Sequence, residues 1–138
     1  MKLSRICLSM MIVAACAAAR SAPERPWKVE LTSSGGITGR GSGSAAVDSE
    51  GKIVTDRCSY EASPEELQRI ETLLAQAHPE RWRESYVPEK NCCDRVEYAL
   101  TVDEAGKVKT TRWIDGPEEL PRDLRALAEA MTPLRTCR

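Results

Sequence analysis

Six cysteines, one histidine and a glycine-rich run are the parts of this sequence whose types and spacing could do chemistry. Cys7, Cys16, Cys58, Cys92, Cys93 and Cys137 are spread over 138 residues. Thiolates ligate metals, attack electrophiles or pair as disulfides, and spacing separates these uses. Adjacent Cys92-Cys93 lacks the C-x(2–4)-C separation of a zinc site, so no metal is expected. His78 is the sole histidine and precedes Pro79. A catalytic imidazole needs a cleft and an orienting carboxylate. At a helix end beside a proline, His78 reads as a capping or exposed residue. Glu65-Glu66 and Glu118-Glu119 each follow a proline, where carboxylates complement a helix dipole rather than move protons. Ser33 to Gly43 holds five glycines in eleven residues. It lacks the Lys-Ser/Thr ending of a phosphate-binding loop. These residue types predict no enzyme and no cofactor.

Compartment follows from the first residues. Lys2 and Arg5 precede an apolar run from Ile6 to Ala15. A spanning helix needs about 20 apolar residues, so residues 1–15 read as a signal peptide. Val13-Ala14-Ala15-Cys16 resembles a bacterial lipobox, with Cys16 lipidated and placed at the mature N-terminus. Ala17-Ala18-Ala19 offers an ordinary signal-peptidase site instead, leaving a soluble secreted or periplasmic protein. The first reading puts the chain on the periplasmic side of the outer membrane, held by its N-terminal lipid. Both export it. Either cleavage leaves four cysteines in an oxidising compartment. Of three connectivities, the one closing Cys92 on Cys93 makes a strained eight-membered ring and is set aside. The two that join Cys58 and Cys137 to the members of that pair remain, each bond typically adding about 2–4 kcal/mol. The formal net charge is −1, and −3 once Lys2 and Arg5 leave. A nucleic-acid binder would carry a basic stripe, so none is expected.

The elements that position these residues can be read in turn. Residues 16–26 are small, polar and Pro-containing, a tether; residues 27–138 form a single domain. Trp27, Val29 and Leu31 alternate with Lys28, Glu30 and Thr32, the pattern of a half-buried strand. The glycine run then breaks it, as a loop or a bulged strand edge. Two hairpins follow, each turning at D-x-x-G: Asp48 to Gly51 and Asp103 to Gly106. That spacing predicts a type I turn with the glycine in the left-handed region. A helix follows each hairpin. Ser63 and Glu66 make a capping box with Pro64 at the first helical position, and Leu67, Ile70, Leu74 and Ala77 form its apolar stripe. Pro121 opens the second helix, with Leu124, Leu127, Ala128 and Met131 as the stripe and Thr132-Pro133 as the stop. Trp82 and Tyr86 read as a lid on a core edge, with a recognition patch as the alternative. The predicted class is α+β: an antiparallel sheet of about five strands with two helices on one face, in the order β-ββα-ββα.

Beside that reading stands a family resemblance. Leu31-Thr32-Ser33-Ser34-Gly35-Gly36-Ile37-Thr38-Gly39, the D-x-x-G hairpin, the P-E-E-L helix start and Cys93-Asp94-Arg95-Val96-Glu97-Tyr98-Ala99-Leu100-Thr101-Val102 resemble the emfourin family. Emfourin-like proteins are small α+β inhibitors of thermolysin-like zinc metalloproteases. Their hallmarks are a strand ending in S-G-G-aromatic-x-G, a later D-R-F-x-Y-type strand and a terminal P-x-x-L-x-x-L helix. The likeness runs from Trp27 to Leu134. It implies that Ser34, Gly35, Gly36, Ile37, Thr38 and Gly39 meet a secreted or envelope metalloprotease, with Asp94, Arg95 and Tyr98 as scaffold. Ile37 and Val96 stand where the family carries Phe. The exported form with four cysteines resembles secreted relatives in which inhibition need not be retained. Physically, a glycine loop allows close backbone approach and strand-like pairing with a cleft. The alternative is a structural or assembly lipoprotein of the envelope with no inhibitory activity.

Overall fold

Alternation from Trp27 builds the first strand, and it continues further than its apolar residues suggest. A computed structural model describes residues 25–36, 41–89, 94–116 and 119–138. The signal segment, Cys16 and most of the tether lie outside these residues, as do Ile37, Thr38, Gly39, Cys92 and Cys93. Strand β1 spans Trp27–Gly35, β2 Gly43–Asp48, β3 Lys52–Thr55 and β4 Ser59–Glu61. Helix α1 spans Pro64–Gln76. Then come β5 at Ser85–Tyr86, β6 at Val96–Glu104, β7 at Lys107–Ile114 and helix α2 at Arg122–Met131. Short 3-10 turns occupy Pro79–Arg81 and Thr132–Arg135.

The sheet has seven strands in the order β4-β3-β2-β1-β6-β7-β5. The five expected strands are β1, β2, β3, β6 and β7, all antiparallel to their neighbours. Two additions correct the expected count and make the sheet mixed. β4 adds a three-residue antiparallel edge, and β5 pairs parallel to β7 through Ser85–Arg112 and Tyr86–Trp113. Neither had room for a readable alternation, because period two needs at least four residues to show.

Register decides which face is core. Val29 lies between Val47 and Val102, and Leu31 between Ala45 and Leu100. These six side chains are buried, and Ile70, Leu74, Leu124, Leu127 and Met131 of the two helices close over them. The other face carries Lys28, Glu30, Thr32 and Ser34, with Lys28 Nζ 3.7 Å from Glu30 Oε2. Tyr98 stacks on Trp113, ring centroids 5.5 Å apart. Trp82 and Tyr86 are core residues, 3% and 6% exposed, so the lid reading holds and they offer no recognition patch.

Helix α1 begins as its sequence dictates. Ser63 Oγ accepts from the Glu66 N–H, and Glu66 Oε2 accepts from the Ser63 N–H. The Ser63 N–H first, then the Arg138 guanidinium, outweigh burial and hold the Glu66 carboxyl below its usual range. In α2, Pro121 is the N-cap rather than the first helical residue. The two D-x-x-G hairpins differ. In the first, Asp48 Oδ1 accepts from the N–H groups of Glu50 and Lys52, and Gly51 has φ +90°. In the second, Ala105 and Gly106 have φ +53° and +85°, a two-residue turn of the I′ kind. The second pairing continues to Glu104–Lys107, which leaves only two residues to reverse the chain.

The expected cysteine connectivity is corrected. Cys58 is disulfide-bonded to Cys137, with Cα atoms 6.1 Å apart. Ring strain at an adjacent pair carries no information about what brings Cys58 to the C-terminus. That contact comes from β4: Tyr60, two residues on, donates from its hydroxyl to Leu134 O at 2.7 Å. Thr55 shapes the turn, its Oγ1 accepting from the N–H groups of Arg57 and Cys58.

Candidate functional site

The candidate site is the connection between β1 and β2 at one end of the sheet. β1 is a central strand, so the loop stands on a base held from both sides. Its pairing with β6 continues to Gly35–Val96, whereas its pairing with β2 stops at Ser33–Gly43. β1 thus outruns β2 by Ser34 and Gly35. In an antiparallel ladder a residue turns its N–H and C=O together to one side, and successive residues alternate. Val96 turns both toward Asp115: its N–H donates to Asp115 Oδ1, and its carbonyl accepts from the Asp115 N–H, each at 3.0 Å. Its partner Gly35 closes the β1–β6 pairing, and there φ +95° turns the backbone out of the extended form. Ser34 and Gly35 are exposed.

The glycines are explained in part by this base. Gly35 has φ +95°, and a Cβ there would fall 2.6 Å from Arg95 O. Side chains avoid both the angle and the distance. A Cβ on Gly41 would fall 2.6 Å from Val96 Cγ2, so the returning strand lies directly on Val96. Glycine at position 41 is what that contact with Val96 demands. Gly36 has φ +80° with only Val96 Cγ2 near, at 3.6 Å.

Beneath the loop lies a buried serine. Ser33 is 7% exposed and occupies the inward register of Val29 and Leu31. Its hydroxyl proton is shared between Gly41 O and Gly43 O, and its oxygen accepts from Arg135 Nη1. Buried hydroxyls require such partners. Ser33 had a legible signal, a polar residue in the core row of a strand. Arg135 had none, since only the fold brings the C-terminal turn under β1.

Of the residues singled out in the sequence, Ser34, Gly35 and Gly36 lie together at this strand end. Ile37, Thr38 and Gly39 lie outside the described residues, as does the lipidation candidate Cys16. Of the disulfide candidates, Cys58 and Cys137 pair with each other, and Cys92 and Cys93 lie outside the described residues. Of the residues that the resemblance gives as scaffold, Arg95 Nη1 donates to Asp115 O at 2.6 Å, Tyr98 stacks on Trp113 and Asp94 has φ +55°.

His78 belongs to no such cluster. Its ring faces solvent beside Glu80, Nδ1 to Oε1 3.4 Å. Its backbone N–H donates to Asp123 Oδ2 at 2.9 Å, and the Trp82 indole donates to the same oxygen at 3.0 Å. Burial pushes the Asp123 carboxyl up, but these two bonds, with the Leu124 and Asp123 amides, outweigh it and leave the group below its usual range. Asp123 ties the segment after α1 to the start of α2. Among the described residues no three His, Cys, Asp or Glu side chains converge on a metal-sized site. None of the protein-family models, curated proteins or solved structures compared with the chain matches it.

Proposed function

We propose that this chain is an exported, non-enzymatic binding domain that inhibits thermolysin-like zinc metalloproteases through the β1–β2 loop. The observation that carries the reading is the exposed end of the central strand β1, where Ser34 and Gly35 run beyond the last β1–β2 pair. Endoproteases bind extended chains by backbone pairing, and a strand end with free N–H and C=O groups offers the same pairing. Pairing with β6 holds that end on one side, and both neighbours hold the strand up to Ser33, which lowers the ordering entropy lost on docking. The resemblance to emfourin-like proteins supports the same surface: Ser34, Gly35 and Gly36, continuing to Ile37, Thr38 and Gly39. The partner is a secreted or envelope protease, and Cys16 is the proposed lipid anchor that keeps the inhibitor at the periplasmic face of the outer membrane.

Inhibition of a thermolysin-like protease by purified Cys16→Ser protein tests this. Ser34→Arg places a long side chain on an exposed position without touching the core, so it should raise the inhibition constant at least tenfold, about 1.4 kcal/mol, with unchanged melting. Glu129→Gln on the exposed side of α2 should do nothing. Absence of inhibition against a panel of such proteases overturns the proposal and leaves the envelope-assembly reading, which capture of envelope partners would then support.

A further inference from the structure

The loop base is fastened from the far end of the chain, and that fastening runs through a single guanidinium. Arg135 sits in the 3-10 turn Thr132–Arg135, which is held on both sides. Leu134 is buried. The Tyr60 hydroxyl donates to Leu134 O at 2.7 Å and lies 3.3 Å from Thr136 O. Cys137 is bonded to Cys58 in the β3–β4 turn. From that position Arg135 Nη1 reaches Ser33 Oγ. The same hydroxyl bonds the carbonyls of Gly41 and Gly43, on the returning side of the loop. A serine hydroxyl has one proton and two acceptor sites. With Arg135 donating to its oxygen, that proton is directed to the loop carbonyls; without Arg135 the hydroxyl is free to turn elsewhere.

We infer that Arg135 is a positioning residue for the β1–β2 loop, and that the Cys58–Cys137 bond and Tyr60 set the loop's order by holding Arg135 under Ser33. The functional half of this inference rests on the inhibitor reading above; the structural half does not. Loosening the turn at Arg135 or Tyr60, with the disulfide intact, then acts selectively on the returning side of the loop, while the β6–β7 hairpin and α2 keep their order. The Asp56 carboxylate and the Arg135 guanidinium both lie 4.0 Å from where a Gly43 Cβ would stand.

Amide hydrogen exchange on the mature protein tests it. Arg135→Met should speed exchange at Gly41 to Ala45 at least tenfold and leave the amides of Leu100, Val102 and Leu127 unchanged. Arg135→Lys, which keeps a donor, should restore part of the protection. Ser33→Ala should reproduce the effect, and Arg125→Gln, exposed on α2, should show none. Tyr60→Phe gives an independent variant in which Arg135 and the disulfide remain but the hydroxyl bond to Leu134 O is lost; it too should loosen Gly41 to Ala45 selectively. Unchanged exchange at Gly41 to Ala45 in Arg135→Met overturns the inference. So does a uniform rise across the sheet and helices, which would make Arg135 a residue of general stability. The inhibition constant is read in parallel. If wild type inhibits, Arg135→Met should weaken inhibition at least tenfold. If wild type inhibits no protease, the proposed function fails while the exchange result still decides the role of Arg135.

Discussion

Replacing Cys58 and Cys137 together by serine should cost this domain a large share of its stability. The bond closes a chain segment with a sequence separation of 79 residues. Restricting the unfolded chain over a loop of that length is worth about 4.5 kcal/mol in the chain-entropy treatment. For a domain of this size each kcal/mol shifts the melting temperature by about 4 °C, so the double variant should melt roughly 18 °C lower. Thr55 already shapes the Cys58 turn through the Arg57 and Cys58 amides, so little native-state strain should offset the gain. Thermal and urea melts of the oxidised wild type against the variant measure the difference. Non-reducing peptide mapping must recover Cys58 and Cys137 in one linked fragment. A fragment linking either cysteine to Cys92 or Cys93 would refute the topology that brings the C-terminal turn beneath β1. A loss below about 1 kcal/mol would refute the entropy reasoning.

Four further outcomes follow from individual residues. Gly35→Ala meets both a φ of +95° and Arg95 O at 2.6 Å, whereas Gly106→Ala meets only φ +85° and open space; urea titration should show a loss of about 1 kcal/mol at Gly106 and a clearly larger one at Gly35. Asp123→Ala strands the Trp82 indole N–H, which should cost about 1–3 kcal/mol, while Asp123→Asn, with an acceptor retained, should cost less. The Asp123 and Glu66 carboxyls are both held below their usual range, so the folded state favours their ionised forms. Their contribution is complete above the unfolded carboxylate range, about pH 4–4.5, and is lost as pH falls below it; Asp123→Asn should flatten that acid-side decline in a melting series. For the anchor, wild type should partition into the detergent phase and Cys16→Ser into the aqueous phase, and equal partitioning would remove the lipid.

Much of the scaffold was legible because local rules and tertiary demands agree. The capping box at Ser63 and Glu66, the stripe Leu67, Ile70 and Leu74, and the alternation of β1 and β6 each follow from periods that burial enforces. What escaped reading was of two kinds. β4 and β5 are too short to show a period and owe their pairing to neighbours. The Cys58–Cys137 bond depends on where the last turn docks, which Tyr60 and Leu134 decide across 74 residues. The same distance hid Arg135 from the site. Ala105 shows the limit of motif reading: the same D-x-x-G spacing closes two hairpins by different turns, since pairing length rather than the motif sets the number of turning residues. At the candidate site, the glycine run reads as a break in the strand, whereas β1 continues through Ser34 to Gly35 because β6 pairs with it that far. The division of labour among the glycines was not readable, because it depends on Arg95 and Val96 arriving alongside from another strand.

The central claim is that Gly35 offers its peptide groups to a protease. Amide hydrogen exchange of Gly35, measured free and in complex with an inhibited thermolysin-like protease, tests it most directly. Strand addition predicts that the Gly35 N–H becomes protected at least tenfold in the complex while the exposed Gly106 turn is unaffected. Tight inhibition with Gly35 exchanging at the same rate in both states would place the contact elsewhere and contradict the account.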